Sequence, residues 1–307
     1  MTADVARLAV VTGEATPGRI WRKRVTSLVA HVLLIGASIL MLYPLLWMLS
    51  ASFRPENEIF AGGSLIPSSV SLHGYISGWF GLSRTFGTFF VNSLTISLLC
   101  VAGNLAACSL TAFAFARLEF RGKKLWFALM LGTLMLPYQV TLIPQYVVFL
   151  HMPTWLGGSA ESGWVNTFLP LVVPKFLASD SFFIFLMVQF FRGIPRELDE
   201  AAMMDGCSPW RIYWKIMLPL SVPVLTTAGI FTFIFTWDDF FGPLIYLSDI
   251  RTYTVTVALR TFVDSTAESN WSGLFAMSIL SLLPIFLLFL FFQRYLIEGI
   301  ATTGMKR

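Results

Sequence analysis

The chain has 307 residues, of which 56% are apolar, 15% aromatic and only 12% charged. Globular domains carry about 25% charged residues, so this chain cannot clothe one compact core in water, and disorder, collagen-like repeats and coiled coils are excluded as well. The net charge of +4 does not by itself call for nucleic acid, because in a lipid-embedded chain the distribution of Lys and Arg decides.

A run of about 20 apolar residues crosses about 30 Å of hydrocarbon, and six such runs follow one another. Residues 1–24 form a basic tail. The first run, Val25–Phe53, is longer than the roughly 7–15-residue apolar core of a cleaved signal peptide. Its Gly36 and Pro44 are tolerable in a spanning helix, and His31 reads as a packing residue. A Gly/Ser/Pro-containing stretch, Arg54–Arg84, leads to the second run, Thr85–Ala116, which is uncharged. A tight basic turn, Arg117–Lys124, precedes the third run, Leu125–Leu150.

After His151–Gly163 comes the fourth run, within Trp164–Phe191. Pro170 and Pro174 are expected to break it, which would put Lys175 at the outer mouth. Asp180 lies about 140° further round a helix, so nothing requires the two to pair. A long hydrophilic segment, Arg192–Met217, is followed by the fifth run, Leu218–Trp237, which ends at Asp238 and Asp239. The stretch Ser248–Asn270 leads to the sixth run, Trp271–Phe292. Such long, non-alternating runs in lipid must be helices, because every backbone group has to be satisfied internally. The expected organisation is an all-α membrane protein: a tail over 1–24, six spans within 25–297 and a second tail over 298–307.

Sixteen of the 21 Lys and Arg residues fall at 7–24, 117–124, 192–215 and 294–307. The positive-inside rule puts those four segments, and both termini, in the cytoplasm. The three cysteines are odd in number, and Cys100 and Cys108 share one apolar run, which argues against a disulfide framework or a zinc site. No nucleophile–base pair or metal cluster stands out, so neither catalysis nor a cofactor in this chain is indicated.

The inner segment Gly193–Pro219 is the most informative. Pro195 suits a first helical position, and Glu197, Asp199 and Glu200 suit the positive end of a helix. Asp205-Gly206 stops that helix, and Ser208-Pro209 begins another. The result is a short helix–turn–helix in the cytoplasm, with Ala201 and Ala202 small enough for close packing.

Glu200-Ala201-Ala202, then three residues and Gly206, then Ile216-Met217-Leu218-Pro219, resembles the coupling motif of permeases of ABC importers. Phe190–Leu198, Trp237-Asp238-Asp239-Phe240 with Pro243 and Tyr253-Thr254, Asn92-Ser93, Ala112–Arg117 and the tail Gln293–Arg307 are similar to carbohydrate permeases, above all the second permease of the maltose-transporter type. Asp238 stands where that family more often has Asn. The resemblance covers about residue 25 to the C-terminus and implies the six-helix fold of such permeases in a bacterial-type inner membrane.

It further implies a second permease, two ATPase subunits carrying ATP and Mg, an extracytoplasmic binding protein and a sugar-like solute, with no nucleic acid. Glu197, Glu200, Ala201, Ala202, Asp205, Gly206 and Pro219 would couple to the ATPase. Trp237, Asp238, Asp239 and Lys175 would line the solute pathway, and Tyr253 and Thr254, with the segment after them, would contact the binding protein or the neighbouring permease.

The residues agree with a separate energy source. The only Gly-Lys pair is Gly122-Lys123, without the Gly five positions earlier that a phosphate-cradling loop needs. Import of glycerol phosphate or a phosphodiester by the same mechanism is an alternative; a phosphate would call for Arg or Lys in the cavity, and Lys175 is the intramembrane candidate. An ion-coupled secondary transporter would need acids deep in the spans, where Asp180 alone qualifies even loosely. A membrane scaffold leaves the coupling segment unexplained.

Overall fold

The computed structural model describes residues 17–61, 65–159, 161–263 and 269–304, with side-chain environments from 25 to 293. Among the described residues the regular structure is helical, with one isolated bridge, Ser159 to Gly163. Among the described residues, four helices or near-continuous helix pairs are long and apolar enough to cross a membrane, and there are up to six spans if each of two bent helix pairs is one span.

The first span, α1 (Pro17–Ala51), begins inside what was expected to be tail. Every side chain from Val25 to Leu46 is exposed. At its outer end Trp47 meets Phe275 edge-on, with centroids 5.3 Å apart. His31 is exposed and bonds within its own helix, Nδ1 lying 2.6 Å from Ser27 O.

On the outer side, α2 (His73–Phe80) lies so close to the last helix that a Cβ on Gly74 would sit 2.6 Å from Ser272 O. Small residues let membrane helices approach in this way. The second span, α3 (Phe86–Arg117, 32 residues), is the centre of the molecule, packed against the fourth and fifth spans. Gly103 admits the ring of Phe176, which a Cβ would approach to 2.5 Å. Asn104 Nδ2 donates to Thr232 Oγ1 at 2.7 Å, fully buried.

The third run is not one straight span. It forms α4 (Lys123–Thr133) and α5 (Tyr138–Leu150), at 103° to each other. Pro137 cannot donate a helical hydrogen bond and forces its predecessor out of the helical region, which places the break.

The fourth span is α6 (Leu169–Phe176) followed by α7 (Ser181–Gly193). Here the sequence expectation is corrected. Pro170 sits in the first turn and Pro174 is accommodated within α6, so the break comes after Lys175, at Leu177–Asp180, where Ala178 has φ 54°.

The inner segment comprises α8 (Glu197–Met204), α9 (Pro209–Ile212), a π-helical stretch at Tyr213–Met217, and α10 (Leu218–Leu220). It turns by 76° at Ser221 into α11 (Val222–Trp237). Two short outer helices follow, α12 (Phe241–Tyr246) and α13 (Val255–Arg260). The last, α14 (Trp271–Gly304), runs on through the expected boundary at 297, so the C-terminal segment continues the sixth span as far as it is described.

Candidate coupling site and solute pathway

The coupling segment is built as its residue types dictate. Arg196 is the N-cap of α8, and Glu197, Asp199 and Glu200 fill the first turn, where their charge is favourable to the helix dipole. Pro195 therefore lies one residue before the cap, just outside the helix. At the other end Gly206 has φ +75°. Its N–H donates to Met203 O (3.0 Å), and Cys207 N–H donates to Ala202 O (2.9 Å), the pair of bonds that closes a helix through a left-handed residue. Ser208 Oγ then accepts from Arg211 N–H at 3.4 Å, with Pro209 at the first helical position.

Burial divides the predicted coupling residues in two. Glu197, Glu200, Ala201, Asp205, Gly206 and Pro219 are exposed, whereas Ala202 is buried in this chain's own core with Phe113, Ile212 and Tyr213. The two alanines thus face opposite ways: Ala201 is open to a partner, and Ala202 sets how closely α8 lies on the helix bundle. Around Ala201 the surface is unusually apolar for one facing water: Met204 is 89% exposed, and Leu198, Met203, Trp210 and Trp214 are exposed too. Apolar patches of this kind mark partner sites.

Sequence reasoning singled out neither Arg117 nor Asp199 as a working pair, nor Tyr213. Arg117, the last residue of α3, places Nε 2.9 Å from Asp199 Oδ2, with both side chains nearly buried. The Nε–H is not aimed along the carboxylate, so the contact is ionic rather than a directed hydrogen bond; the same guanidinium donates to Ile194 O at 2.7 Å. Tyr213, in the π-helical stretch, has its hydroxyl 2.7 Å from Ser109 Oγ of α3. Single π turns occur often at functional positions. A signal was available in the sequence: Asp199 and Ala202 are spaced i, i+3 and so share one helix face.

Of the four predicted pathway residues, Lys175 and Asp239 lie near enough to interact electrostatically. Lys175 Nζ lies 2.6 Å from Asp180 Oδ2, a pairing the regular-helix angle argued against. The helix interruption between them brings the two side chains together. Trp237 is 2% exposed and donates from Nε1 to Ser281 O at 3.0 Å, stacked on Phe233; it fastens α11 to α14 rather than facing a pathway. Asp239 is half-buried and accepts from Gly242 N–H at 3.2 Å, while Asp238 is exposed.

The outer loop folds back on this chain over most of its described length. The segment after Tyr253 packs on this chain rather than projecting from it: Thr254, Val255, Val257, Ala258 and Phe262 are buried. Asn92 Nδ2 donates to Arg251 O and Tyr253 O at 2.8 and 3.0 Å, and Ser93 Oγ accepts from Val255 N–H at 2.9 Å. Asn166, itself at φ 64°, accepts through Oδ1 from Ser248 N–H, Asp249 N–H and Thr252 Oγ1 at 3.1, 2.9 and 3.4 Å. Tyr253 remains half-exposed.

Residues 103–302, which hold the whole coupling segment, match the family described as binding-protein-dependent transport system inner membrane component. The chain belongs to this family. Among its relatives, a probable ABC transporter permease protein YurM of Bacillus subtilis is 33% identical over 86% of this chain and 83% of its own length. The trehalose/maltose transport system permease protein MalG of Thermococcus litoralis is 31% identical, with 90% and 96% covered. The arabinooligosaccharides transport system permease protein AraQ of Halalkalibacterium halodurans is 31% identical over 93% and 99%.

The fold matches a permease chain in the crystal structure of a bacterial ABC transporter that imports the acidic polysaccharide alginate, with TM-score 0.76, 22% identity, and 89% of this chain and 97% of that one covered. The chain is therefore a multi-pass membrane permease subunit of binding-protein-dependent ABC transport, and its relatives are permeases, not enzymes.

Proposed function

We propose that this permease imports a sugar or oligosaccharide delivered by an extracytoplasmic binding protein. It pairs with a second permease and is driven by two ATPase subunits, which carry the ATP and Mg, docked on the α8–α9 segment. The observation that carries the reading is the exposed face of that segment, Ala201 and Met204 beside Trp210, held by a buried ion pair at the end of a spanning helix. The sugar rests on the relatives named for trehalose/maltose and arabinooligosaccharides. The phosphate alternative loses support, because Lys175, the cation it needed, is neutralised by Asp180. Both termini are assigned to the cytoplasm from the distribution of Lys and Arg.

The test is reconstitution in vesicles with the partner permease, ATPase and binding protein. Loaded binding protein is expected to stimulate ATP hydrolysis with maltose- or arabinan-type oligosaccharides and not with glycerol 3-phosphate; stimulation by the phosphate alone would overturn the solute. A Cys at Ser69 in a Cys207→Ser chain should react with an impermeant thiol reagent from outside cells, and Cys207 of the unaltered chain should be protected. Labelling of Cys207 from outside would invert the topology.

A further inference from the structure

Chain connectivity ties the α8–α9 segment to two spans only, the fourth before it and the fifth after it. The second span ends about 80 residues earlier, yet polar contacts placed along that one helix fasten it to the same segment at two points and to the fifth span at a third. Nearest the cytoplasm, Arg117 holds Asp199 and the carbonyl of Ile194. Two turns deeper, Ser109 meets the Tyr213 hydroxyl. Deeper still, Asn104 donates to Thr232 of the fifth span. Polar side chains between membrane helices are costly to leave unpaired and hold helices in register.

The Arg117–Asp199 contact differs from the other two in kind. It is the only one that is charged, and it lies between a spanning helix and the free-standing short helix. Asp199 is 8% exposed, and its second oxygen, Oδ1, is buried without a hydrogen-bond partner among the described residues. Half-satisfied, the carboxylate depends on one arginine, so α8 cannot shift relative to α3 without either carrying Arg117 along or leaving a buried charge alone.

From this geometry we infer that Arg117 and Asp199 are positioning residues for energy coupling: the pair makes the second span, and not only the fourth and fifth, move with the ATPase-docked helix. The inference rests on the coupling reading above and adds the joint through which motion enters the centre of the bundle. Rearrangement of a packed element past its neighbours transmits small displacements because the contacts switch as a unit.

The experiment measures, in the reconstituted complex with loaded binding protein, solute transported per ATP hydrolysed, alongside the amount of ATPase subunit copurified. Arg117→Gln and Asp199→Asn are expected to lower the transport-to-hydrolysis ratio at least about tenfold per assembled complex. Arg117→Lys should recover part of that ratio, and the exchange Arg117→Asp with Asp199→Arg more than either of its single changes. If every variant lowers transport only in proportion to assembled complex, the pair is structural and the inference falls. Ala201→Trp, on the exposed face, separates the two readings. If it abolishes copurification while the ratio stays normal in the pair variants, the joint is wrong and the docking is right. If Ala201→Trp leaves docking and transport intact, the coupling reading itself fails.

Discussion

Two water-facing segments of this permease, the outer stretch after Tyr253 and the inner α8–α9 segment, handle their apolar residues in opposite ways. On the outer side the stretch from Tyr253 to Phe262 folds down so that its Val255, Val257, Ala258 and Phe262 are covered by the chain's own helices. Its backbone is tied by the side chains of Asn92, Ser93 and Asn166. On the inner side Leu198, Met203, Met204, Trp210 and Trp214 stay exposed on two short helices, and the polar ties beneath them, Arg117 to Asp199 and Ser109 to Tyr213, fix the segment from behind. Apolar content alone thus does not mark a partner surface. The outer loop satisfies its own, and the inner segment leaves its own for another molecule.

Gly206→Val should break the comparison most severely. The space around a Cβ there is open, so the cost comes from φ +75°, about 1–2 kcal/mol for an L-residue with a side chain. A β-branched residue re-aims α9 against α8, and solute-stimulated ATP hydrolysis by the reconstituted complex should fall to background while the chain still inserts. Normal stimulation would show that the turn's shape does not matter.

A smaller effect is expected on the other side. Asn166→Ala leaves the backbone N–H groups of Ser248 and Asp249 without their acceptor, while the Thr252 hydroxyl keeps Asp249 O, a cost of about 1–3 kcal/mol to the extent that water cannot reach them. Residues 248–253 should become cleavable by protease added outside right-side-out vesicles, while copurified ATPase stays unchanged. Loss of ATPase would mean the two ends are not independent. The smallest change is Trp237→Phe, which removes one hydrogen bond to Ser281 O, about 1 kcal/mol. It should lower the unfolding midpoint by a few degrees at most and leave solute preference alone; an altered preference would return Trp237 to the pathway.

The apolar spans and the coupling helices were legible in the sequence because each is a local property: an uninterrupted apolar run, a capping Ser, a Gly after the last helical turn. The pairings were not. Lys175 and Asp180 meet because Ala178 leaves the helical region, and a regular-helix angle cannot describe a broken helix. Arg117 and Asp199 are 82 positions apart, and nothing local to either says that α3 and α8 cross there. Trp237 shows the same limit in reverse: it sits in a motif beside two acids, but its ring turns to α14. The bend at Pro137 could have been read from the proline alone, and a run of 26 apolar-rich residues concealed it.

The central claim is that the exposed face of α8 and α9 is where the ATPase subunits engage. A photocrosslinking residue at Met204, the most exposed apolar position of that segment, compared with one at Ser69 on the outer surface, tests it in membranes coexpressing all partners. The account predicts a covalent adduct of this chain with the ATPase subunit from position 204 and none from position 69. An adduct with lipid alone from position 204, or with the ATPase subunit from position 69, would contradict it.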